Sequence, residues 1–150
     1  MGAQLKNGGM TSVEHGRWGE DIAAQYLVNQ GYEIVARNVR PVAADRRLEI
    51  DLIVYDRRAN VVVFVEVKQH KRRREASPRM ASVDRHKRDL LRRACRAWLY
   101  RNHWRDSYRF DVVEVWGEPE SGLPEIDHIE RVRLFVPSER FVDWASCDVS

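Results

Sequence analysis

The sequence predicts an α/β domain built around a mixed β-sheet. Three observations support this fold class. A helical segment is followed by three strand-like segments, a second helical segment and further strand-like segments, an order that is typical of an α/β sandwich. Two of the strand-like segments are apolar on both faces, which indicates that they are covered from both sides. The chain has 150 residues, a length that suits one domain and leaves little room for two.

The first helix is predicted to begin near Ser12, as its N-cap, and to end before Gly31, the expected C′ residue. Trp18, Ile22 and Tyr26 recur at helical spacing. We therefore expect these three side chains to form the core stripe of the helix.

This helix separates a predicted tail from a predicted domain. Residues 1–11 contain three glycines and few apolar side chains, so we expect them to be disordered. Residues 12–150 contain no linker or internal repeat and are expected to form the single domain. The further predicted elements are a strand over 32–38, a β-hairpin over 48–68, a helix from about Val83 to His103 with Ser82 as N-cap, a strand over Tyr108–Val115, a loop over Gly117–Pro124 and a strand over Ile129–Val136.

Several classes of protein are excluded by composition. No apolar run approaches the roughly 20 residues that a transmembrane helix needs, and the first ten residues lack the apolar core of a signal peptide. Two cysteines, Cys95 and Cys147, are too few for a disulfide scaffold and lack the spacing of metal ligands. We therefore expect a cytoplasmic protein with free thiols and no membrane partner.

Charge is unevenly distributed along the chain. The formal net charge is only +3. Residues 68–109, however, hold 15 lysines and arginines and four acidic residues, a net charge of +11. A segment this basic fits a polyanion as partner, and the alternative is a solvated helix face with a mobile loop.

The hairpin over 48–68 is the most informative segment. Directly opposed residues of two antiparallel strands share a face. If the turn places Asp56 opposite Val61, Asp51 lies opposite Glu66, and a slip of one residue would separate these carboxylates. One face is then wholly aliphatic, with Ile50, Leu52, Val54, Val63, Val65 and Val67. The other face carries Glu49, Asp51, Glu66 and Lys68 at its open end.

The opposed carboxylates favour a cation between them. Two carboxylates about 5 Å apart on a covered sheet repel each other. Their oxygens and a nearby main-chain carbonyl suit a hard ion such as Mg²⁺, and Lys68 beside that ion could stabilise a phosphate or a developing oxyanion. The alternative is a network of ion pairs at the strand end, in which Glu49 and Asp51 both pair with Lys68.

Two helical residues are charged where apolar side chains are expected. Lys87 falls within the apolar stripe of the second helix, so its ammonium either extends to solvent or meets an acid. We expect it near Glu66 or Glu49, at the acidic end of the hairpin. Glu20 lies in a sector of the first helix whose neighbours are small or apolar, which is unusual for a glutamate that only meets solvent.

The chain resembles a known family in several motifs at once. Asp51, followed by Glu66-Val67-Lys68 on the next strand, resembles the core motif of the PD-(D/E)XK nuclease superfamily. The fuller pattern, over about residues 12–115, resembles the YraN family of bacterial proteins. The matching pieces are Gly16-Arg17-Trp18-Gly19-Glu20, Ala23-Ala24, Gly31-Tyr32, Arg37-Asn38, Glu49-Ile50-Asp51-Leu52-Ile53, Val63-Phe64-Val65-Glu66-Val67-Lys68, Lys87 and Arg109-Phe110-Asp111-Val112-Val113.

This resemblance implies a restriction-endonuclease-like fold, with an α-β-β-β-α-β core and helices on both faces of the mixed sheet. It implies Asp51, Glu66 and Lys68 as the catalytic trio, with Glu20 as an added catalytic acid. The implied ligands of a Mg²⁺ or Mn²⁺ ion are Asp51, Glu66, Glu20 and the Val67 carbonyl, with Glu49 in a supporting position. By analogy with resolvases of this fold, a homodimer is expected.

Three functions remain open from the sequence. The first is a metal-dependent DNA endonuclease, with branched DNA among its candidate substrates. The second is a non-catalytic nucleic-acid-binding or repair-complex module, and the third is a structural adaptor whose charges form ion pairs. The acids and Lys68 favour the first, because a binding module needs none of them. Contacts with the DNA backbone are expected from Lys71, Arg72, Arg73, Arg74, Arg85, Lys87, Arg88, Arg92 and Arg96.

Overall fold

The computed structural model describes residues 9–71 and 85–135. Its elements are α1 (Ser12–Asn29), β1 (Glu33–Val39), β2 (Ile50–Asp56), β3 (Val61–His70), α2 (Arg85–Arg101), β4 (Ser107–Trp116) and β5 (Glu125–Ile129). The strands form one sheet in the order β1-β2-β3-β4-β5. Only β3 and β4 are parallel, and the other neighbours are antiparallel. The predicted α/β fold with a mixed sheet is confirmed.

The two helices cover opposite faces of this sheet. On one face α1 packs Ala23 and Leu27 against the valines of β3 and β4. On the other face α2 packs Leu91, Ala94 and Trp98 around Phe64. A parallel pair such as β3 and β4 needs a crossover connection, and α2 lies within it. This arrangement is consistent with a restriction-endonuclease-like core.

The first helix begins one residue earlier than predicted. Its N-cap is Thr11, not Ser12, because Thr11 forms a capping box with Glu14. The Glu14 N–H donates to the Thr11 hydroxyl, and the Thr11 N–H donates to the Glu14 carboxylate over 2.7 Å. Gly31 follows the helix with a φ of 98°, which confirms it as the C′ residue. Residues 1–8 of the predicted tail lie outside the described residues.

The core stripe of α1 is rotated from the predicted one. Trp18, Ile22 and Tyr26 are only partly buried and flank the contact with the sheet. The buried residues of the helix are Gly19, Ala23, Ala24 and Leu27. Small side chains at the contact bring the helix backbone close to the sheet, which leaves the aromatic residues at its edges.

The hairpin register is as predicted. Asp56 pairs with Val61 and Leu52 with Val65, and the next pair in this register is Asp51 with Glu66. One face assignment is wrong, because Ile50 does not lie with Leu52 and Val54. It is buried in the cluster under α2, with Leu48 and Ile53. Ile50 is the first residue of β2, where the chain has only just entered the ladder.

The last predicted strand is also wrong. Its predicted range began at Ile129, whereas β5 ends at that residue. Beyond Glu130 the chain turns through Arg131, which has a left-handed φ of 54°, and the Val132 N–H donates to the Phe110 carbonyl. The apolar residues after Ile129 therefore still pack against the sheet, but they do not extend its ladder of backbone hydrogen bonds. The predicted loop over Gly117–Pro124 is confirmed.

Two further expectations concern residues outside the described ranges. The predicted start of the second helix, at Ser82 and Val83, lies outside them, and so does Cys147. Cys95 is a free, buried thiol in α2. No helix in the two described ranges has the length and apolar character needed to cross a membrane.

Candidate metal centre

The carboxyl groups of Asp51 and Glu66 meet at the end of the β2–β3 ladder. Asp51 Oδ2 accepts a hydrogen bond of 2.8 Å from the backbone N–H of Val67. Asp51 is opposite Glu66 in the hairpin register, with the two carboxyl groups close enough to repel each other, and Glu66 is buried. The register of the hairpin therefore brings both acids to one point, as the sequence predicts.

The proximity of Glu66 changes the protonation of Asp51. Burial raises the pKa of Asp51, and repulsion by Glu66 raises it further, to about 8. The hydrogen bond from the Val67 N–H opposes this shift because it favours the ionised form. Near neutral pH the pair therefore holds a proton, and a divalent cation can take the place of that proton.

Two lysines converge on a single oxygen of this pair. The Lys87 ammonium lies 2.6 Å from Glu66 Oε1, and the Lys68 ammonium lies 3.7 Å from the same atom. Burial lowers the pKa of Lys68, and the nearby Lys87 lowers it further. Burial opposes the charge of Lys87 most strongly, but attraction and a hydrogen bond to Glu66, with smaller contributions from Lys68 and Asp51, together raise its pKa. The prediction that Lys87 reaches the acidic end of the hairpin is confirmed.

Glu20 approaches the same centre from α1. Its pKa is raised, first by burial, while a hydrogen bond with the Asn38 side chain opposes the shift. Its charge is also close enough to raise the pKa of Asp51. Gly19 makes this approach possible, since a Cβ atom there would lie 2.9 Å from Gln69 Cβ on β3.

A cavity of about 310 Å³ opens beside the acids. It is lined by Arg47, Glu49, Asp51, Glu66, Lys87, Leu90 and Leu91. Arg47 donates to Asp45 from its backbone N–H over 3.1 Å, from Nε over 2.9 Å and from Nη2 over 2.8 Å. These bonds lower the pKa of Asp45 to about 2. The guanidinium of Arg47 is thereby held at the wall of the cavity.

Sequence reasoning missed Arg47 and its neighbour Arg40. Both lie in the loop before β2, outside the basic segment over 68–109. Arg40 donates to the carboxylate of Glu49 over 3.0 Å, so Glu49 has a cationic partner other than the predicted Lys68. Arg46 and Arg47 stand shortly before the strand that carries the acids, which indicates nearby positive charge but not its position.

The predicted nucleic-acid contacts occupy different environments. The second helix carries seven lysines and arginines and one acid, a net charge of +6. Arg85 is exposed, and the Nε of Arg88 is buried without a hydrogen-bond partner in the described ranges. Arg92 donates to the Leu134 carbonyl over 3.0 Å and pairs with Asp89. Lys71 lies 4.0 Å from Glu118, and Arg72, Arg73 and Arg74 lie outside the described residues.

A second acidic cluster lies on the α1 side of the sheet. One ligand atom from each of Asp111, His128 and Glu130 lies within 4.8 Å of the others. Asp111 already accepts hydrogen bonds from Arg109 Nε and Nη2, from the Arg131 N–H and, over 2.8 Å, from His128. The oxygens of Asp111 are therefore already engaged by hydrogen-bond donors, which include the cationic guanidinium of Arg109.

Comparison with known proteins identifies the relatives of this chain. The family profile described as "Uncharacterised protein family UPF0102" matches residues 19–115. A UPF0102 protein of Solibacter usitatus is 44% identical over 67% of this chain and 74% of its own length. A UPF0102 protein of Corynebacterium efficiens is 42% identical over 78% of this chain and 89% of its own. One from Halorhodospira halophila is 45% identical over 69% and 78%. The matched range contains Glu20, Asp51, Glu66, Lys68 and Lys87.

Proposed function

The chain belongs to the uncharacterised protein family UPF0102, the YraN family, and from its acidic centre we propose that it is a metal-dependent endonuclease. The observation that carries the proposal is that Asp51 and Glu66 line one open cavity together with Lys87. An acid such as Asp51, whose ionised form is disfavoured by burial and by a neighbouring carboxyl group, is costly for folding alone. It is of use to a protein that binds a cation there.

The residues present fit Mg²⁺ or Mn²⁺. Carboxylate oxygens are the ligands these ions prefer, and an octahedral ion keeps several waters when few protein ligands are available. Asp51 and Glu66 would hold the ion, with the Val67 carbonyl as a third ligand. Glu20, from the opposite helix, would bind its waters or a second ion. When bound, the ion would activate water and polarise the phosphoryl oxygen.

The cationic side chains around the acids suit a phosphodiester. Lys68 is largely buried beside Glu66, where it would stabilise charge that develops on the phosphoryl group. Arg47 forms part of the cavity wall and is exposed to solvent. The net charge of +6 on α2 would attract the flanking backbone of a nucleic acid. We propose DNA as the substrate, with branched DNA as the first form to test.

A nuclease assay tests this proposal directly. Branched, flapped, single-stranded and duplex DNA would be incubated with the protein and Mn²⁺, and products followed over time. We expect cleavage by the wild type, and a loss of at least about 100-fold in Asp51→Asn and in Lys68→Ala, because each change removes stabilisation of the transition state. Arg57→Ala, at the far turn of the hairpin, serves as control. Equal activity in wild type and Asp51→Asn would contradict the proposal.

A second candidate is a non-catalytic nucleic-acid-binding module. It is favoured by the ion pair of Lys87 with Glu66, which already neutralises one acid without a metal. If 4 to 6 phosphates are contacted, log K should fall against log salt with a slope of about −4 to −5 on duplex DNA. Replacement of Arg72, Arg73 and Arg74 by alanine should flatten the slope, whereas Lys68→Ala should spare binding. Binding without cleavage in every DNA form would favour this module.

A further inference from the structure

The charge balance of the candidate metal centre points to a second role for Lys87. Asp51 and Glu66 bring two negative charges when both are ionised, and Lys68 and Lys87 bring two positive charges. With both acids ionised, the charges of these four side chains cancel. A divalent cation then adds two positive charges, of which Glu20 can balance only one, in a partly buried place where unbalanced charge is unfavourable.

One of the two ammonium groups must therefore move when a metal binds. Lys87 Nζ lies 2.6 Å from Glu66 Oε1, an oxygen that a metal ion held by Glu66 would also approach. An Mg²⁺ ion would lie about 2.1 Å from that oxygen, so the two cations would repel each other across a single acceptor.

Lys87 is better placed to move than Lys68. Its side chain is 43% exposed, against 17% for Lys68. It starts from the first turn of α2, whereas Lys68 starts from β3, inside the sheet. Lys87 also lines the cavity beside the acids, so its ammonium can turn from Glu66 into that cavity. A long lysine side chain can reach such a position without movement of the helix.

We propose that Lys87 is a displaceable counter-ion of Glu66. In the absence of metal its ammonium neutralises Glu66, and when a divalent cation binds, the ammonium turns to the rim of the cavity. There it contacts a phosphate of the nucleic acid, together with Arg47. Metal and nucleic acid therefore bind cooperatively, since the metal releases a phosphate ligand and the phosphate neutralises the excess positive charge. This inference rests on the proposed function.

Amine labelling with mass spectrometry tests the displacement. The full chain would be treated with a lysine-acylating reagent at fixed pH, with and without saturating Mn²⁺. We expect Mn²⁺ to increase the labelling rate of Lys87 several-fold. Lys71, which is exposed and 4.0 Å from Glu118, serves as the internal reference and should not change. In Asp51→Asn, which lacks one metal ligand, Lys87 should not respond to Mn²⁺.

Calorimetry separates failure of this inference from failure of the proposed function. We expect Lys87→Met to bind Mn²⁺ about tenfold more tightly than the wild type, because no ion pair has to be broken. Arg93→Met removes the same charge from the same helix but faces Asp45, and should change affinity less than about twofold. Mn²⁺ binding with unchanged labelling of Lys87, or with unchanged affinity in Lys87→Met, would overturn the inference alone. No Mn²⁺ binding by the wild type would overturn both.

Discussion

Asp51 and Asp111 lie in the same sheet and are in opposite electrostatic states. Burial and the neighbouring Glu66 raise the pKa of Asp51. Burial also acts on Asp111, which is fully buried, but hydrogen bonds from His128 and Arg109 outweigh it, so its pKa is lowered. One carboxylate has an acid as its neighbour and a cavity beside it, and the other is surrounded by donors.

The difference favours Asp51 over Asp111 as the candidate functional acid. By the spacing of ligand atoms alone, Asp111, His128 and Glu130 would be selected as a metal site. Asp111 is nevertheless satisfied by Arg109, Arg131 and His128, which tie β4 to β5 and to the turn after it. A satisfied buried charge stabilises the fold, whereas the raised pKa of Asp51 indicates that its ionised form is disfavoured in the folded state. Both clusters can be tested by substitution of single residues.

Asp111→Asn is expected to have the largest effect on stability. It leaves the guanidinium of Arg109 buried without its carboxylate, and breaking such a pair costs about 3 to 5 kcal/mol. Urea denaturation would measure the loss. Glu130→Gln, 3.7 Å from the same guanidinium but half exposed, is the control and should cost under about 1 kcal/mol. Equal losses in the two variants would contradict the structural role of Asp111.

Divalent metal should distinguish the two clusters directly. We expect Mn²⁺ at 100 times its Kd to stabilise the wild type by about 3 kcal/mol. Asp51→Asn should lose this gain because a ligand is removed. Asp111→Asn should keep the gain, although it starts from a lower stability. Thermal melting with and without Mn²⁺ measures both, and a gain lost in Asp111→Asn but kept in Asp51→Asn would reverse the assignment.

The dependence of stability on pH should differ in sign between the aspartates. In the window from about 4 to about 8 the unfolded chain ionises Asp51 while the folded chain keeps it protonated. The unfolded state then binds fewer protons, so the contribution of Asp51 to stability falls as pH rises. Asp111 has a lowered pKa, so its contribution is present above the ordinary range of an aspartate and is lost as pH falls below it.

Asp51→Asn should therefore flatten the decline of stability between pH 4 and pH 8. Relative to the wild type, the free energy of unfolding of the variant should be about 2 kcal/mol higher at pH 8 than at pH 4. This figure allows for partial solvation of the carboxyl group. Urea denaturation at four pH values would measure this difference. A wild type and a variant with parallel profiles would show that Asp51 ionises normally.

The sequence predicted the acidic centre better than its surroundings. Alternation of side chains and a polar turn were enough to place Asp51 against Glu66, because a strand has a strict period of two. The position of Lys87 within the apolar stripe of α2 likewise predicted that it would lie near Glu66. The loop before β2 has no period, so nothing in its sequence showed that Asp45 would hold Arg47 at the cavity.

Apart from the rotated stripe of α1, errors in the prediction occurred at the ends of elements. Thr11 and Ser12 are both favourable N-cap residues, and Glu14 three residues after Thr11 decided between them. The apolar residues after Ile129 alternate as in a strand, but the left-handed Arg131 takes them out of the ladder. The contacts that made this choice come from Asp111 and Phe110, which are 20 or more residues earlier in the chain.

Two glycines of α1 offer a smaller test of how the fold holds the acidic centre. A Cβ atom at Gly16 would meet nothing within 4 Å, whereas one at Gly19 would lie 2.9 Å from Gln69 Cβ and 3.1 Å from its Cγ. Both substitutions by alanine gain helix propensity, about 1 kcal/mol. Only Gly19→Ala adds overpacking, which costs about 1 to 3 kcal/mol. Gly16→Ala should therefore stabilise the protein, and Gly19→Ala should destabilise it by about 1 kcal/mol.

The same pair of variants links this packing to the metal centre. Gln69 Cβ is close to the backbone of β3, so it cannot turn away, and α1 itself has to shift in Gly19→Ala. Glu20 follows Gly19, and its charge acts on Asp51. A shift of α1 should therefore weaken Mn²⁺ binding several-fold in Gly19→Ala. Gly16→Ala should bind Mn²⁺ as the wild type does. Urea denaturation and calorimetry on both variants provide the measurement. If both variants gain stability equally, the contact between α1 and β3 is looser than the structure indicates, and Glu20 is not held by it.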